Sequence, residues 1–306
     1  MTTTKLKICY IDMCNGVPNQ AIRCFRRLVD GLMAEAQAKN PGLTLDYVHV
    51  QPRNLNEIPD RTADLFLSSG GPGSPFDGYD DPWCTNYRNF LDWVVERNKV
   101  DGAKAPQVLA VCHSFELATI HFKVAQMSAR PAGNKFGVMP SYTTAEGLKN
   151  SLFKPFGERM FVWENRRWEA LHPDEKRIKE LGARILARES RPGKTDKGEA
   201  VLGFEYAPGV VATQFHPEAD RAGLMAWVYN EERAAEFKKA YSEALYQRMI
   251  KTLDDPSRVA RTFAIFVPTW LHEKFDVWAA HHGLNPVGPP VQDLNEFFGD
   301  KKAANG

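Results

Sequence analysis

The first hundred residues alternate between short apolar runs and longer segments with helical periodicity. Residues 6–11 form a β-prone apolar run, and the next segment spaces apolar side chains three or four residues apart, as one face of a helix does. These side chains are Ile22, Phe25, Leu28, Val29, Leu32, Met33 and Ala36. Asn40-Pro41-Gly42 ends this predicted helix, because proline cannot continue it and glycine is preferred just after it.

The same alternation continues along the chain. We predict strands over 43–50, 63–68 and 108–111, a helix over 83–97, and another helix directly after the last of these strands. Parallel strands need crossover connections, so this order favours an α/β fold with a mostly parallel sheet and helices on both faces. Ligand sites in such sheets lie at the carboxyl ends of the strands.

From about residue 125 to residue 191 the pattern is less regular. It predicts a helix over 174–181, which Pro173 and the acidic pair after it would start well. Two β-like runs follow, over 201–206 and 210–215.

After about residue 229 the chain changes to a charged helical pattern and then to an aromatic-rich stretch. The large apolar side chains there include Phe237, Tyr241, Leu245, Phe263, Phe266, Trp270 and Trp278. Burying one such side chain contributes roughly 1.5 to 3 kcal/mol. We therefore divide the chain into a domain over 1–229 and a helical C-terminal extension over 230–306, and expect the extension to pack on that domain or on a second subunit.

Composition excludes several functional classes. The chain has 306 residues, of which 43% are hydrophobic and 25% charged, the balance of a folded globular protein. Its 39 basic side chains nearly cancel its 38 acidic ones, so no net field favours nucleic acid or an anionic membrane, and a small-molecule partner is expected. The beginning of the chain lacks the features of a secretory signal, and no long apolar run is present, which predicts a cytoplasmic protein without a membrane span.

Five cysteines are scattered along the chain at Cys9, Cys14, Cys24, Cys84 and Cys112, without CxxC spacing. This pattern argues against a disulfide framework and against a structural zinc site. We expect free thiols, and we assign neither a metal nor a cofactor.

Three short segments follow predicted strands and carry residues suited to chemistry. They are 69–74 (SGGPGS), 111–113 (VCH) and 214–218 (QFHPE). Within the second, Cys112 stands where a strand passes into a helix, and a helix start favours the thiolate. Such a turn needs small residues two positions to either side, and Ala110 and Ser114 are small. The competing interpretation is a structural cysteine in the core.

The third segment offers a base for this thiol. Pro217 holds His216 in an extended conformation, and in an extended segment His216 and Glu218 point to the same side. A carboxylate beside an imidazole orients the ring and stabilises its charged form. Without Cys112, we would interpret His216 and Glu218 as a histidine and a glutamate at a strand end with no catalytic role.

The developing oxyanion of acyl transfer is best met by backbone N–H donors, and Gly71 and His113 are the candidates. The loop from Gly70 to Gly73 suits a close backbone approach because glycine lacks a Cβ atom. A plain tight turn remains the alternative.

The GGPG loop, the cysteine and the QFHPE segment, in this order and at these spacings, resemble the class I glutamine amidotransferases over residues 5–229. The stretch 135–137 (KFG) also resembles the segment that follows the nucleophile helix in that family. The resemblance implies that a cysteine attacks the side-chain amide of glutamine, forms a γ-glutamyl thioester and releases ammonia.

By the same resemblance, the triad is Cys112, His216 and Glu218, and Gly71 and His113 contact the oxyanion. Gly70, Gly73 and Glu116 are expected to bind substrate. Use of the ammonia would need a separate synthetase subunit, whereas simple hydrolysis would not.

The nucleophile segment departs from the family pattern G-x-C-x-G-x-Q, since residues 110–116 read AVCHSFE. The histidine-containing pattern of several members is likewise missing from 161–168. We expect Glu116, one turn after the nucleophile, to face the pocket and repel the carboxylate of free glutamine, so that the substrate is a related amide. Alternatively, Glu116 turns outward to an arginine.

Two other functions remain open at this point: a non-catalytic binding or regulatory module on the same fold, and acyl transfer to a small acceptor. The adjacent His281 and His282 point in different directions on a helix and are interpreted as a solvated pair. The acidic residues Asp77, Asp80 and Asp81 lack the spacing of a calcium loop.

Overall fold

The computed structural model describes residues 4–190 and 200–291. Within these ranges eleven strands form one sheet. The strands are β1 (Lys5–Ile11), β2 (Thr44–Val50), β3 (Leu65–Ser68), β4 (Gln107–Val111), β5 (Gln126–Ala129), β6 (Lys135–Thr143), β7 (Arg159–Arg166), β8 (Trp168–Leu171), β9 (Arg184–Arg188), β10 (Val201–Ala207) and β11 (Val210–Thr213). The helices are α1 (Ala21–Lys39), α2 (Pro52–Leu55), α3 (Pro82–Asp101), α4 (His113–Phe122), α5 (Glu175–Leu181), α6 (Arg221–Val228), α7 (Glu231–Ala240), α8 (Glu243–Leu253) and α9 (Val259–His281).

The strands follow the order β2-β1-β3-β4-β11-β10-β9-β6-β7, and β8 pairs with both β10 and β5. The five strands from β2 to β11 in this order run parallel to one another. The remaining pairings are antiparallel. The predicted α/β fold with a parallel sheet is confirmed, and the parallel half carries the three sequence segments singled out above.

Helices cover both faces of the sheet, as predicted. Alternate residues of β1 point to opposite sides: Ile8 joins a hydrophobic core with Phe25 of α1, and Cys9 joins a second core with Tyr87 of α3. This alternation is the two-residue period of an extended strand. The sheet is therefore buried on both sides, which explains the continuous apolar runs of its central strands.

The irregular stretch between residues 125 and 191 contains five strands, β5 to β9, that the pattern did not predict. The predicted helix is present as α5, and the Asp174 side chain caps it by accepting a hydrogen bond from the backbone N–H of Arg177 at 2.9 Å. The antiparallel half of the sheet is thus an addition to the predicted architecture.

A buried group of ion pairs lies between strands of this antiparallel half. The guanidinium of Arg166 donates to Glu164 at 2.6 Å and to Glu189 at 2.8 Å. The ammonium of Lys135 pairs with the same two carboxylates. Because each charge has opposite partners, the group is held without an uncompensated buried ion.

The C-terminal helices pack against the α/β domain. Phe263, Phe266 and Trp270 of α9 are buried in the same hydrophobic core as Phe25 of α1. The expected docking of the extension is therefore confirmed, although Tyr241 and Leu245 of the predicted set stay exposed. The division into units at residue 229 remains a prediction, and residues 292–306 of the extension lie outside the described residues.

No helix within the described ranges is long and apolar enough to cross a membrane.

Candidate active site

Cys112 stands in a strained turn between β4 and α4. Its φ of +52° and ψ of −103° lie outside the helical region and in a part of backbone space that side chains disfavour. The turn is fixed on both sides: the Cys112 N–H donates to Thr213 O at 2.8 Å, and the Glu116 N–H donates to Cys112 O at 2.9 Å. This is the geometry of a strand-to-helix nucleophile turn.

Ser114 ties this turn to the glycine loop. Its hydroxyl lies 2.7 Å from Ser69 O and 2.8 Å from Ser68 Oγ. Ser114 is therefore small enough for the turn, and its hydroxyl also holds the start of the glycine loop against the turn at Cys112.

His216 is positioned by its backbone and by Glu218. The His216 N–H donates to Trp163 O at 2.9 Å, and the ring Nδ1 lies 2.9 Å from Glu218 Oε1. The Glu218 carboxylate is 2% exposed, whereas the side chain of His216 is 18% exposed. The imidazole is thus more exposed than its carboxylate partner, although both residues line the same cleft.

Gly70 packs against both Cys112 and the imidazole of His216. A Cβ atom added there would come within 2.8 Å of His216 Cε1 and 3.1 Å of Cys112 Cβ. Only glycine fits this position without displacing one of the two side chains. The structure therefore brings Cys112, His216 and Glu218 together at the carboxyl ends of the parallel strands.

The electrostatics of the three groups are coupled. Burial raises the pKa of the Cys112 thiol, and the neighbouring His216 opposes this shift. Burial also disfavours a charged His216, but the Glu218 carboxylate and Cys112 outweigh it and hold the pKa of the imidazole well above 6.5. A desolvated thiol beside a basic imidazole is arranged for proton exchange within the pair.

The two candidate oxyanion donors, Gly71 and His113, lie near Cys112. Gly71 lines the same cleft as Cys112, and a Cβ atom there would lie 2.0 Å from Met13 O. His113 is the first residue of α4, where backbone N–H groups have no partner within the helix. The whole residue is buried, and it is not among the described residues that line the cleft. The oxyanion role of both residues remains a prediction.

Glu116 lies beneath Cys112. It is 3% exposed, its Oε1 accepts a hydrogen bond from Gln214 Nε2 at 3.0 Å, and its Oε2 is 3.5 Å from His113 Nδ1. It is not among the described residues that line the cleft, and no arginine pairs with it there. Residues four apart share one side of a helix only when both are helical. Because Cys112 is not in helical conformation, this spacing does not place the Glu116 side chain on the same side as the Cys112 thiol.

Gly73 closes the turn of the glycine loop at a φ of +93°, a conformation that glycine adopts without strain. It lies beside Arg53 and Asp77 and outside the cleft wall, whereas Gly71 and Pro72 are on it. Arg53 holds this loop by donating to Pro72 O at 2.7 Å and to Met13 O at 2.9 Å.

The cleft in front of Cys112 has a volume of about 450 Å³. Sequence reasoning missed several of its lining side chains: Cys14, Trp163, Asn165, Trp227 and Arg233. Cys14 follows β1 at the carboxyl edge of the sheet, a position that could have suggested it. The other four come from the unpredicted strand β7, from α6 and from α7 of the extension, where no motif marks them.

Two aromatic side chains and one cation shape the far side of the cleft. Trp163 and Trp227 meet edge to face with ring centroids 5.4 Å apart, and the Arg233 guanidinium lies 4.9 Å from the centre of the Trp227 ring. Among the described lining residues, Arg233 is the lone arginine or lysine. The cleft can therefore hold a small molecule that has an apolar portion and a negative group.

No group of three or more histidine, cysteine, aspartate or glutamate side chains in residues 4–190 and 200–291 is arranged to hold a metal ion. All five cysteines are buried free thiols.

Comparison with known proteins gives a likeness in structure alone, since no family model and no curated protein matches the sequence. A glutamine amidotransferase from Thermotoga maritima superposes with a TM-score of 0.59 at 14% identity, over 88% of this chain and 97% of that chain. A glutamine amidotransferase from Methylobacillus flagellatus superposes with a TM-score of 0.56 at 16% identity, over 93% of this chain and 97% of that chain. This chain has the α/β fold of these glutamine amidotransferases.

Proposed function

We propose that this protein is a cysteine amidohydrolase of the glutamine amidotransferase type. It would act on the side-chain amide of glutamine or on a similar γ-glutamyl amide. The observation that carries this proposal is the placement of the Cys112 thiol beside the Glu218-bound imidazole of His216, with Gly70 packed against both residues.

The reaction has two halves. His216 takes the proton of the Cys112 thiol, and the thiolate attacks the amide carbon to form a tetrahedral intermediate. His216 then gives the proton to the departing nitrogen, so that ammonia or an amine leaves and a thioester remains. In the second half His216 takes a proton from water, and the resulting hydroxide attacks the thioester carbon. The carbon–sulfur bond then breaks, the acyl group leaves as a free carboxylic acid, and His216 returns the proton to the Cys112 thiolate.

Two backbone donors would stabilise the oxyanion of each tetrahedral intermediate, the N–H groups of Gly71 and His113. Donors fixed in place before reaction do not have to reorganise as charge develops. The position of Gly71 in the wall of the same cleft as Cys112 supports this role.

The cleft wall supports a substrate with a carboxylate. Arg233 is exposed to the cleft, and a guanidinium pairs with a carboxylate in a bidentate manner. Because Glu116 lies beneath the nucleophile, its charge is held behind Cys112 by Gln214 and does not oppose such a carboxylate directly. Free glutamine is thus included among the candidate substrates.

The ammonia acceptor is proposed to belong to a partner synthetase, in keeping with the resemblance of the sequence to the amidotransferases. Hydrolysis without transfer needs no such partner. We further propose that the protein acts in the cytoplasm.

The direct test is ammonia release from glutamine and from a panel of γ-glutamyl amides by the full chain, its Cys112→Ala variant and its Cys14→Ala variant. Cys14 lines the same cleft and is a matched control thiol. The proposal predicts turnover of at least one amide by the wild type and by Cys14→Ala, and none by Cys112→Ala. No turnover of any amide would favour the non-catalytic module, and equal turnover by all three proteins would overturn the nucleophile assignment.

A further inference from the structure

A second cavity lies at the edge of the sheet opposite to the cleft. It has a volume of about 300 Å³ and is bounded by the beginnings of β3 and β4 and by the last turns of α9. Its lining includes Asp64, Lys104, Lys274, Trp278, His281 and His282. The same two strands lead to Gly70 and Cys112 at their other ends, so this cavity is separate from the proposed active site.

Two lysines face this cavity without an ion pair. Lys274 is partly buried on α9, and Lys104 lies in the short turn before β4. Neither forms a salt bridge or a hydrogen bond to any other described residue. A partly buried ammonium is normally paired, since leaving it unpaired costs free energy.

The acids closest to Lys274 are held elsewhere. Glu205 is bound by Arg184 and Asn150, and Glu273 accepts a hydrogen bond from Ser151 Oγ at 2.8 Å. Burial lowers the pKa of Lys274, and these two carboxylates only partly oppose the shift. The Lys274 ammonium therefore has no carboxylate partner of its own, and an anion from solution could take that place.

The other walls combine aromatic rings with a single acid. Trp278 and His282 stack with ring centroids 4.2 Å apart and an interplanar angle of 28°. His281 also lines the cavity. Asp64 is the acid in the lining, and its Oδ2 is already engaged by the backbone N–H of Lys7 at 2.8 Å.

We propose that this cavity binds a small phosphate monoester, with the phosphate between Lys104 and Lys274 and the remainder of the ligand against Trp278. A dianion can satisfy both ammonium groups at once through charge-assisted hydrogen bonds. The size of the cavity limits the ligand to a small molecule. The histidine pair at the end of α9, interpreted from the sequence as solvated, forms part of this site.

Phenyl phosphate is the probe, because it joins the required dianion to a flat ring. Calorimetric titration of the full chain should show saturable one-to-one binding at millimolar concentration, accompanied by a change in tryptophan fluorescence. The Lys274→Gln variant should bind at least about tenfold more weakly. The Lys104→Gln variant should also bind phenyl phosphate more weakly than the wild type. Lys104 is exposed, so this substitution tests the site even if Lys274→Gln does not fold.

Three controls decide the location and the chemistry. Lys176→Gln, on the exposed face of α5, should bind phenyl phosphate as the wild type does. Cys112→Ala should also bind normally, whereas Trp278→Phe should lose the fluorescence change. The proposal is overturned if the wild type shows no saturable binding, if both Lys274→Gln and Lys104→Gln bind as tightly as the wild type, or if malonate, a dicarboxylate, binds more tightly than phenyl phosphate.

Discussion

The imidazole Nδ1 of His216 lies 2.9 Å from Oε1 of Glu218, two residues further along the chain. The proline between them keeps the segment extended, so both side chains reach the same side of the backbone. One short piece of chain thus supplies both the proposed base and the carboxylate beside it. The Glu218 carboxylate also raises the pKa of His216, which has a measurable consequence.

We predict that the acid limb of kcat/KM for the preferred amide has its midpoint above pH 6.5. Activity is lost as the pH falls through the raised pKa of His216, because a protonated imidazole cannot take the proton of the Cys112 thiol. Glu218→Gln removes a charge that favours the imidazolium, so the limb should move to lower pH. Loss of ring orientation should also reduce kcat by roughly 100-fold.

The measurement is the pH profile of kcat/KM for both proteins, with thermal unfolding as the check on folding. An unchanged midpoint in a folded Glu218→Gln protein would show that Glu218 does not raise the pKa of His216.

We predict that Glu116→Gln makes Cys112 more reactive at a given pH without changing KM for glutamine. The Glu116 carboxylate is one of the charges that raise the pKa of this thiol, and its removal should lower that pKa. The rate of iodoacetamide labelling at Cys112 should therefore rise at lower pH than in the wild type. Glu180→Gln, on the surface of α5, is the matched control. A lower KM for glutamine in Glu116→Gln would instead support the repulsion first expected from the sequence.

We predict that Arg233→Gln raises KM for a carboxylate-bearing amide by about tenfold and changes kcat little, because one charge-assisted contact is lost. Arg233→Lys should recover part of the effect, since it keeps the charge but not the planar fork. Lys238→Gln, on the same helix but outside the lining of the cleft, should behave as the wild type. Steady-state kinetics on the wild type and the three variants provide the test. An unchanged KM in Arg233→Gln would show that Arg233 does not bind the substrate carboxylate.

We predict that Phe266→Ala lowers the free energy of unfolding by about 3 to 5 kcal/mol. Phe266 is fully buried on α9, and its ring meets those of Phe153 and Phe215 edge to face at 5.0 and 5.7 Å. Leu245→Ala, at a side chain that is 45% exposed, should change stability by less than about 1 kcal/mol. Urea unfolding provides the comparison, and equal losses in the two variants would argue against docking of α9 into the shared core.

The sequence predicted the parallel half of the fold because its strands are continuous apolar runs separated by amphipathic helices. It did not reveal strands β5 to β9. In β7 the buried residues include Glu164 and Arg166, whose charges are balanced by each other and by Glu189, so the strand does not have an apolar pattern. β5 and β8 contain four residues each, too few for a period of two to be recognised.

The candidate triad was predictable because each member stands at the carboxyl end of a strand within a recognisable motif. The rest of the cleft was not. Trp163 and Asn165 lie on the unpredicted strand β7, and Arg233 comes from α7, far along the chain. The orientation of Glu116 depends on the positive φ of Cys112, which breaks the helical spacing from which the sequence argument started.

The most direct test of the proposed mechanism is whether Cys112 itself becomes acylated. The protein would be mixed with its best amide substrate, quenched with acid within one turnover and analysed by intact mass spectrometry and peptide mapping. The mechanism predicts the mass of one acyl group on the peptide that contains Cys112, present in Cys14→Ala and lost in Cys112→Ala. Amide turnover with no adduct on Cys112, or an adduct on Cys14 instead, would contradict it.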